Sequence, residues 1–197
     1  FPRAPGEYPV SGALMFDLDS YLTRLLNGPA GQRPVPDQFM IWVSTLGVPV
    51  LVALVALQWW RRADRNYVRH VLVASGLSFL LGLGLNQIIL LFVHRVRPYD
   101  AGVSHLLIPP SADWSLPSDH ATATMAIAAS FLVHRMPRIG GLFLAATLLM
   151  MYARVYVGIH YVGDVLTGAL TGIAAAVLVW QFYRPGTRVD RLITGIL

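Results

Sequence analysis

Two long apolar runs without a charged residue dominate this chain. Phe39–Trp60 contains 22 residues and Val71–Val93 contains 23, whereas about 20 apolar residues are enough for a helix to cross the hydrocarbon core of a bilayer. Only 13% of the 197 residues are charged, compared with roughly a quarter in soluble domains. The sequence therefore predicts an integral membrane protein, and it excludes a soluble globule, a disordered chain and a nucleic-acid-binding protein.

Three further apolar segments are candidates for membrane helices: Pro117–Met136, Ile139–Tyr156 and Tyr161–Tyr183. Apolar residues between Leu14 and Leu26 also recur at helical spacing, with polar residues between them. This pattern predicts an amphipathic helix that lies either on the membrane surface or, the interpretation we favour, against the protein. The predicted fold is an all-α helical bundle with about five transmembrane helices plus this N-terminal amphipathic surface helix.

The expected domain organisation follows from these segments. Residues 1–37 form an N-terminal loop with the amphipathic helix, residues 38–184 form the transmembrane domain, and residues 185–197 form a cytoplasmic tail.

The basic residues, all of which are arginine, predict the orientation. They concentrate in the link between the first two spans, in the link between the third and fourth, and in the tail. The positive-inside rule assigns these segments to the cytoplasm. The N-terminal region, the long loop 94–117 and the short link around Gly158 then lie on the opposite side of the membrane.

Unusual polar residues gather on that outer side in three clusters: Arg97-Pro98, Pro117-Ser118-Asp119-His120, and Arg154 followed by His160 and Asp164. Ionisable residues at membrane depth are costly, so they indicate function by default. Interfacial anchoring explains single arginines. It does not explain two histidines, two arginines and an aspartate at one depth.

The third cluster has the pattern of a nucleophilic histidine. His160 and Asp164 are four residues apart, so on a helix they share a face, and the carboxylate can hold one ring nitrogen while the other attacks. Arg154 would point elsewhere on an unbroken helix. Gly158 offers the break that lets Arg154 and His160 converge.

The second cluster predicts an anion site at the start of a helix. Pro117 is tolerated at a helix start, and Ser118 and Asp119 are natural capping residues. Free backbone N–H groups at such an end bind oxyanions. His120 in the first turn is placed to protonate a leaving oxygen.

Two histidines and a carboxylate could instead bind a divalent cation. Arg97 and Arg154 argue against this reading, because guanidinium groups repel cations and suit phosphate. The chain also has no cysteine, which excludes a thiolate metal site and a cysteine nucleophile. We therefore expect no metal and no cofactor.

These three clusters resemble the signature motifs of the type 2 phosphatidic acid phosphatase superfamily, which shares its active site with vanadium haloperoxidases and membrane glucose-6-phosphatases. The family pattern is Lys, six residues, Arg-Pro; then Pro-Ser-Gly-His; then Ser-Arg, five residues, His, three residues, Asp. The three clusters match in order and spacing, and the resemblance covers residues 39–183. The Pro-Ser-Asp-His form, with Asn86-Gln87 and Arg97-Pro98-Tyr99, is similar to bacterial undecaprenyl pyrophosphate phosphatases of the bacitracin-resistance type.

The resemblance implies a phosphatase that removes the terminal phosphate of a polyprenyl diphosphate at the outer face of the bacterial cytoplasmic membrane. His160 would become a phosphohistidine, Asp164 would orient it, and His120 would protonate the leaving group. Arg97, Arg154, Ser118 and Asp119 would hold the phosphate. The alternatives are a phosphatase for another lipid phosphate, such as phosphatidylglycerol phosphate, phosphatidate or lipid A, and a lipid-phosphate binder or transporter without turnover.

The chain departs from the family pattern at three positions. Leu90 occupies the position of the motif lysine, Asp119 that of the glycine, and Ala153 that of the serine before the arginine. Because leucine cannot hold an oxyanion, we expect Arg95, with His94 as the lesser candidate, to supply the missing phosphate contact. The alternative is that Arg95 only anchors the helix at the headgroups.

Overall fold

The computed structural model describes residues 10–61 and 64–195, and the regular secondary structure in these ranges is all helical. Its α-helices are α1 (Val10–Asn27), α2 (Pro34–Leu57), α3 (Arg65–Leu90), α4 (Asp119–Val133), α5 (Pro137–Tyr156), α6 (Val162–Phe182) and α7 (Arg188–Thr194), and a short 3-10 helix (Gln58–Trp60) extends α2. The predicted all-α membrane bundle is confirmed.

Within the described ranges, four helices are long and apolar enough to cross a membrane: α2 with its 3-10 extension, α3, α5 and α6. The predicted span Pro117–Met136 differs, because α4 has only 15 residues and is therefore about 22 Å long. Ser118 is an extended N-cap, and a left-handed turn at Arg135 follows the helix. Most of α4 is buried, so it need not match the bilayer thickness as a lipid-facing helix would.

Glycines on α6 allow α4 to pack very closely against it. A Cβ at Gly168 would lie 2.5 Å from the Ser118 carbonyl oxygen, and a Cβ at Gly172 would lie 2.5 Å from the Thr122 carbonyl oxygen. Glycines four residues apart permit this kind of close backbone approach in membranes. The start of α4 is thereby fixed beside the start of α6.

The amphipathic helix α1 packs against α5 and α6, and it turns its polar face inward. Ser20, Thr23 and Asn27 are buried, whereas Leu18 and Leu25 are 59% and 60% exposed. The favoured packing against the protein is observed. The face that packs carries these three polar residues together with Leu26, which contacts the core, so it is not the purely apolar face that a hydrophobic core would select.

Helices extend across the limits of the expected domains, whose division stays a prediction. Helix α2 begins at Pro34 rather than at residue 38, because proline is favoured in the first turn of a helix. The tail carries α7, which packs against α3. There Asp190 accepts hydrogen bonds from Tyr183 Oη at 2.6 Å and from His70 Nδ1 at 2.8 Å.

Candidate active site

The helix ends that carry the three motifs surround one small cavity of about 190 Å³. Five of the predicted residues line it: Arg97, Asp119, His120, Arg154 and His160. The break at Gly158 has a φ of 82°, a conformation that favours glycine. A Cβ at this position would also collide with the His105 carbonyl oxygen, so the turn that brings His160 back toward Arg154 requires glycine.

His160 is oriented by a backbone carbonyl in addition to Asp164. Its Nδ1 lies 2.8 Å from the Ser115 carbonyl oxygen and 3.5 Å from Asp164 Oδ2. Since a carbonyl can only accept, Nδ1 carries the proton and Nε2 holds the free lone pair. The pKa of His160 is lowered to about 4, chiefly by burial and against the opposing effect of Asp164. The ring is therefore neutral near pH 7.

Asp164 is fully buried in the first turn of α6 and is not exposed to the cavity. Its Oδ2 accepts from Ser115 Oγ at 2.5 Å and from the Tyr161 N–H at 2.8 Å. The same serine thus donates its hydroxyl to Asp164 and presents its carbonyl to His160. Through this serine, Asp164 positions the carbonyl oxygen that accepts the Nδ1 proton of His160. Asp164 also lies near that proton itself.

The two arginines of the cavity have different partners. Arg97 donates to three carbonyl oxygens and one hydroxyl: those of Asp113, Ile159 and Trp114, and Ser111 Oγ. Arg154 donates to Ser44 Oγ at 2.9 Å, and its buried Nε has no partner among the described residues. Because a guanidinium has five N–H donors, Arg154 has more free donors for an oxyanion, while Arg97 mainly joins the walls of the cavity.

The start of α4 presents backbone donors to the cavity. The first N–H groups of a helix lack intrahelical acceptors, and both Asp119 and His120 line the cavity. The Asp119 carboxylate accepts from Asn86 Nδ2 at 2.7 Å, so its side chain offers an acceptor rather than the donor a phosphate needs. Ser118 does not line the cavity, and its buried hydroxyl has no partner in the described part of the chain.

The structure does not support the predicted phosphate contacts of Arg95 and His94, neither of which lines the cavity. Arg95 donates to Asp164 Oδ1 at 2.8 Å and to Asp19 Oδ2 at 2.6 Å. His94 is exposed and lies against Trp114, with ring centroids 5.0 Å apart. Arg95 is drawn away by two carboxylates, one of them on the distant helix α1, which local spacing could not reveal.

The sequence did not predict a role in the cavity for four residues that line it together with the motif residue Pro117: Gln87, Ser111, Asp113 and Trp114. Leu90, at the position of the absent lysine, does line the cavity. Gln87 lies on the same helix three residues earlier and so shares this face. The spacing of three residues between Gln87 and Leu90 could therefore have predicted that Gln87 lines the cavity. The neighbouring Asn86 is buried and makes an interhelical hydrogen bond to Thr122 Oγ1 at 2.9 Å.

Fold and site together define a helical membrane protein with an arginine-lined cavity suited to an oxyanion. The family model "PAP2 superfamily" matches residues 71–188. The chain therefore belongs to the PAP2 superfamily, and it is a membrane-embedded hydrolase of lipid phosphates.

Individual relatives agree with this assignment. The chain is 33% identical over 159 residues to undecaprenyl-diphosphatase BcrC of Bacillus subtilis, covering 81% of each chain. It is 27% identical over 173 residues to putative undecaprenyl-diphosphatase YbjG of Escherichia coli, covering 85% of each chain.

Among solved structures, the transmembrane PAP2-type phosphatidylglycerolphosphate phosphatase of B. subtilis has the same fold. The TM-score is 0.67, with 22% identity and 89% of each chain covered.

Proposed function

We propose that this protein removes the terminal phosphate of a polyprenyl diphosphate, as the names of the BcrC and YbjG relatives suggest. The observation that carries the proposal is the cavity that joins a neutral histidine to an arginine with free donors. His160 and Arg154 both line it. The lipid tail lies in the bilayer, so a small cavity suffices for the head group.

In the first step, Nε2 of His160 attacks the terminal phosphorus in line. The bond from phosphorus to the bridging oxygen breaks, and the lipid leaves as a monophosphate. His120 takes up a proton as the anionic substrate binds and donates that proton to the bridging oxygen. The proton on Nδ1 stays with His160, and its positive charge is stabilised by the Ser115 carbonyl and the nearby Asp164.

The equatorial oxygens gather charge in the transition state, and preorganised donors stabilise that charge. Arg154, the first-turn N–H groups of α4 and the remaining donor of Arg97 carry out this role. Water then attacks the phosphohistidine, and His120 accepts its proton. This scheme uses no metal, and a chelator leaves the activity intact.

The active site faces the outer side of the cytoplasmic membrane in this proposal. Arginines lie in the links and the tail at the opposite end of the bundle, among them Arg61, Arg138 and Arg188. The positive-inside rule favours a cytoplasmic location for them.

The proposal is tested with purified protein and two short-chain substrates, a polyprenyl diphosphate and a lipid monophosphate. His160→Ala eliminates turnover and the acid-labile phosphoenzyme. His120→Ala reduces turnover less for the diphosphate, because a phosphate leaving group needs less protonation than an alcohol. His94→Ala is the matched control.

Near-normal activity of His160→Ala would refute the mechanism. A requirement for a divalent cation after chelation would replace it with a metal mechanism. Faster turnover of the monophosphate would indicate that the substrate is another lipid phosphate rather than a polyprenyl diphosphate.

A further inference from the structure

Three polar residues of α1 form a stripe that faces the catalytic end of the bundle. Asp19, Thr23 and Asn27 are four residues apart, so they lie on one side of the helix. Thr23 and Asn27 are buried. Helix α1 lies outside the span of the family match, which begins at residue 71, and no motif includes these residues.

The stripe satisfies backbone groups on both sides of the segment that carries His160. Asp19 Oδ1 accepts from the Gly163 N–H at 2.8 Å, and Thr23 Oγ1 accepts from the Val162 N–H at 3.2 Å. Both N–H groups belong to the first turn of α6, where no intrahelical acceptor exists. Helix α1 therefore caps α6 directly after the nucleophile.

Asn27 performs the corresponding task before the nucleophile. Its Nδ2 donates to the Tyr156 carbonyl oxygen at 2.7 Å, at the end of α5. It also donates to the His105 carbonyl oxygen at 2.9 Å and accepts from the His105 N–H at 2.7 Å. The loop 157–161 is thus held at both ends by one helix.

Arg95 connects this stripe to Asp164. Its two terminal nitrogens lie 2.6 Å from Asp19 Oδ2 and 2.8 Å from Asp164 Oδ1, and its guanidinium stacks 3.8 Å from the Tyr161 ring centroid. The side chains of Arg95 and Asp19 are only 18% and 15% exposed, and that of Asp164 is not exposed at all. Such shielding makes charge-assisted bonds stronger than a surface ion pair.

We propose that Asp19 and Arg95 are positioning residues for catalysis, a role that rests on the proposed function. Arg95 fixes one oxygen of Asp164, which leaves the other oxygen for Ser115. Ser115 in turn presents its carbonyl to Nδ1 of His160. The charge of Asp19 keeps Arg95 in this place, so the amphipathic helix α1 is part of the catalytic machinery although it does not touch substrate.

The test compares Asp19→Asn, Arg95→Met and their double variant in purified protein. Asp17→Asn is the matched control, because Asp17 is an exposed carboxylate on the same helix. Each single change lowers kcat about 10- to 100-fold, as loss of a charge-assisted bond would. KM changes less than about twofold, because no substrate contact is lost.

Three readouts separate positioning from other roles. The loss of kcat is the same for a diphosphate and a monophosphate. The double variant is no slower than the slower single variant within about threefold, because both changes break one connection. Arg95→Lys recovers part of kcat, since it restores a charge between the two carboxylates.

A raised KM with a larger loss on diphosphate would make Arg95 a phosphate ligand and overturn the proposal. Activities equal to that of Asp17→Asn would exclude α1 from the machinery. Gel filtration and thermal melting check the fold, and the isosteric Asp19→Asn carries the test if Arg95→Met unfolds. An unaltered protein that releases no phosphate from either substrate would instead refute the proposed function.

Discussion

At the scale of single residues, the protonation of His160 decides whether the site can work. Burial lowers its pKa to about 4 from an ordinary value near 6.5, while Asp164 acts in the raising direction. A lowered pKa favours the neutral ring, so the nucleophile remains unprotonated well below neutral pH. Because the nearby carboxylate favours the protonated ring, its role is to fix the tautomer and to stabilise the charge that forms during the reaction.

The first prediction follows from this pKa. In protein labelled with ¹³C-histidine, the signal absent from His160→Ala should show no titration between pH 8 and pH 5. In Asp164→Asn the midpoint should fall further, because the residue that raises the pKa of His160 is gone. A midpoint at or above 6.5 in the unaltered protein would contradict the burial argument.

Which residues meet in the cavity could be predicted wherever motif spacing and helix geometry suffice. His160, Arg154 and the start of α4 are such cases, because a glycine break and a capping sequence are local signals. Arg95 is the opposite case: its partner Asp19 is 76 residues away, and no local pattern encodes that pairing. The sequence therefore indicated that Arg95 has a functional role, but it did not indicate that the contacts of Arg95 are carboxylates.

At the scale of elements, the fold depends on how closely α4 approaches α6. The side of α6 that faces α4 has glycine at positions 168 and 172, and α4 supplies small residues such as Ala121 and Thr122. Without a hydrophobic driving force in lipid, such close contact is a main source of helix association. The spacing of these glycines is visible in the sequence, but the sequence does not show which helix packs against the glycine face of α6.

The second prediction tests this contact by adding single methyl groups. Gly172→Ala should lower the melting temperature in detergent and reduce turnover. The new Cβ would lie 2.5 Å from the Thr122 carbonyl oxygen and 2.9 Å from the Ala126 backbone nitrogen. Overpacking of this kind costs about 1–3 kcal/mol. Gly84→Ala is the control, since its Cβ would meet nothing within 4 Å. Equal melting temperatures for the two variants would show that α4 can move away without cost.

The periodicity of apolar residues predicts that α1 is a helix, but it does not predict which face of α1 packs against the protein. The spacing of its apolar residues predicted the helix, and the structure has it at Val10–Asn27. Periodicity does not reveal which face meets protein, because in a membrane protein the outer surroundings are apolar as well. Here polar residues of α1 meet the bundle, where Thr23 and Asn27 bind backbone groups that have no intrahelical partner at helix ends.

At the scale of the whole molecule, the ends of the bundle differ in chemistry. One end holds the cavity, and the other holds the arginine-rich links and α7. The N-terminal end of α3 reaches α4 through Tyr67, whose hydroxyl donates to the His134 carbonyl at 2.6 Å. At the other end Asn86 bonds to Asp119, so α3 holds the short helix α4 at both of its ends.

The last prediction concerns which end faces out of the cell, and the composition of the chain makes it simple to test. Because the chain has no cysteine, a single introduced cysteine reports accessibility without background. Ala101→Cys lies in the exposed loop beside the cavity, and Leu192→Cys lies on α7 at the opposite end, where Leu192 is 74% exposed. In intact cells or spheroplasts, a membrane-impermeant maleimide should label Ala101→Cys at once and Leu192→Cys only after permeabilisation. The physical reason is the arginine distribution, since positive charges are retained on the cytoplasmic side during insertion. The reverse pattern would place the cavity in the cytoplasm and restrict its substrates to lipid phosphates of the inner leaflet, although the chemistry at His160 would be unchanged.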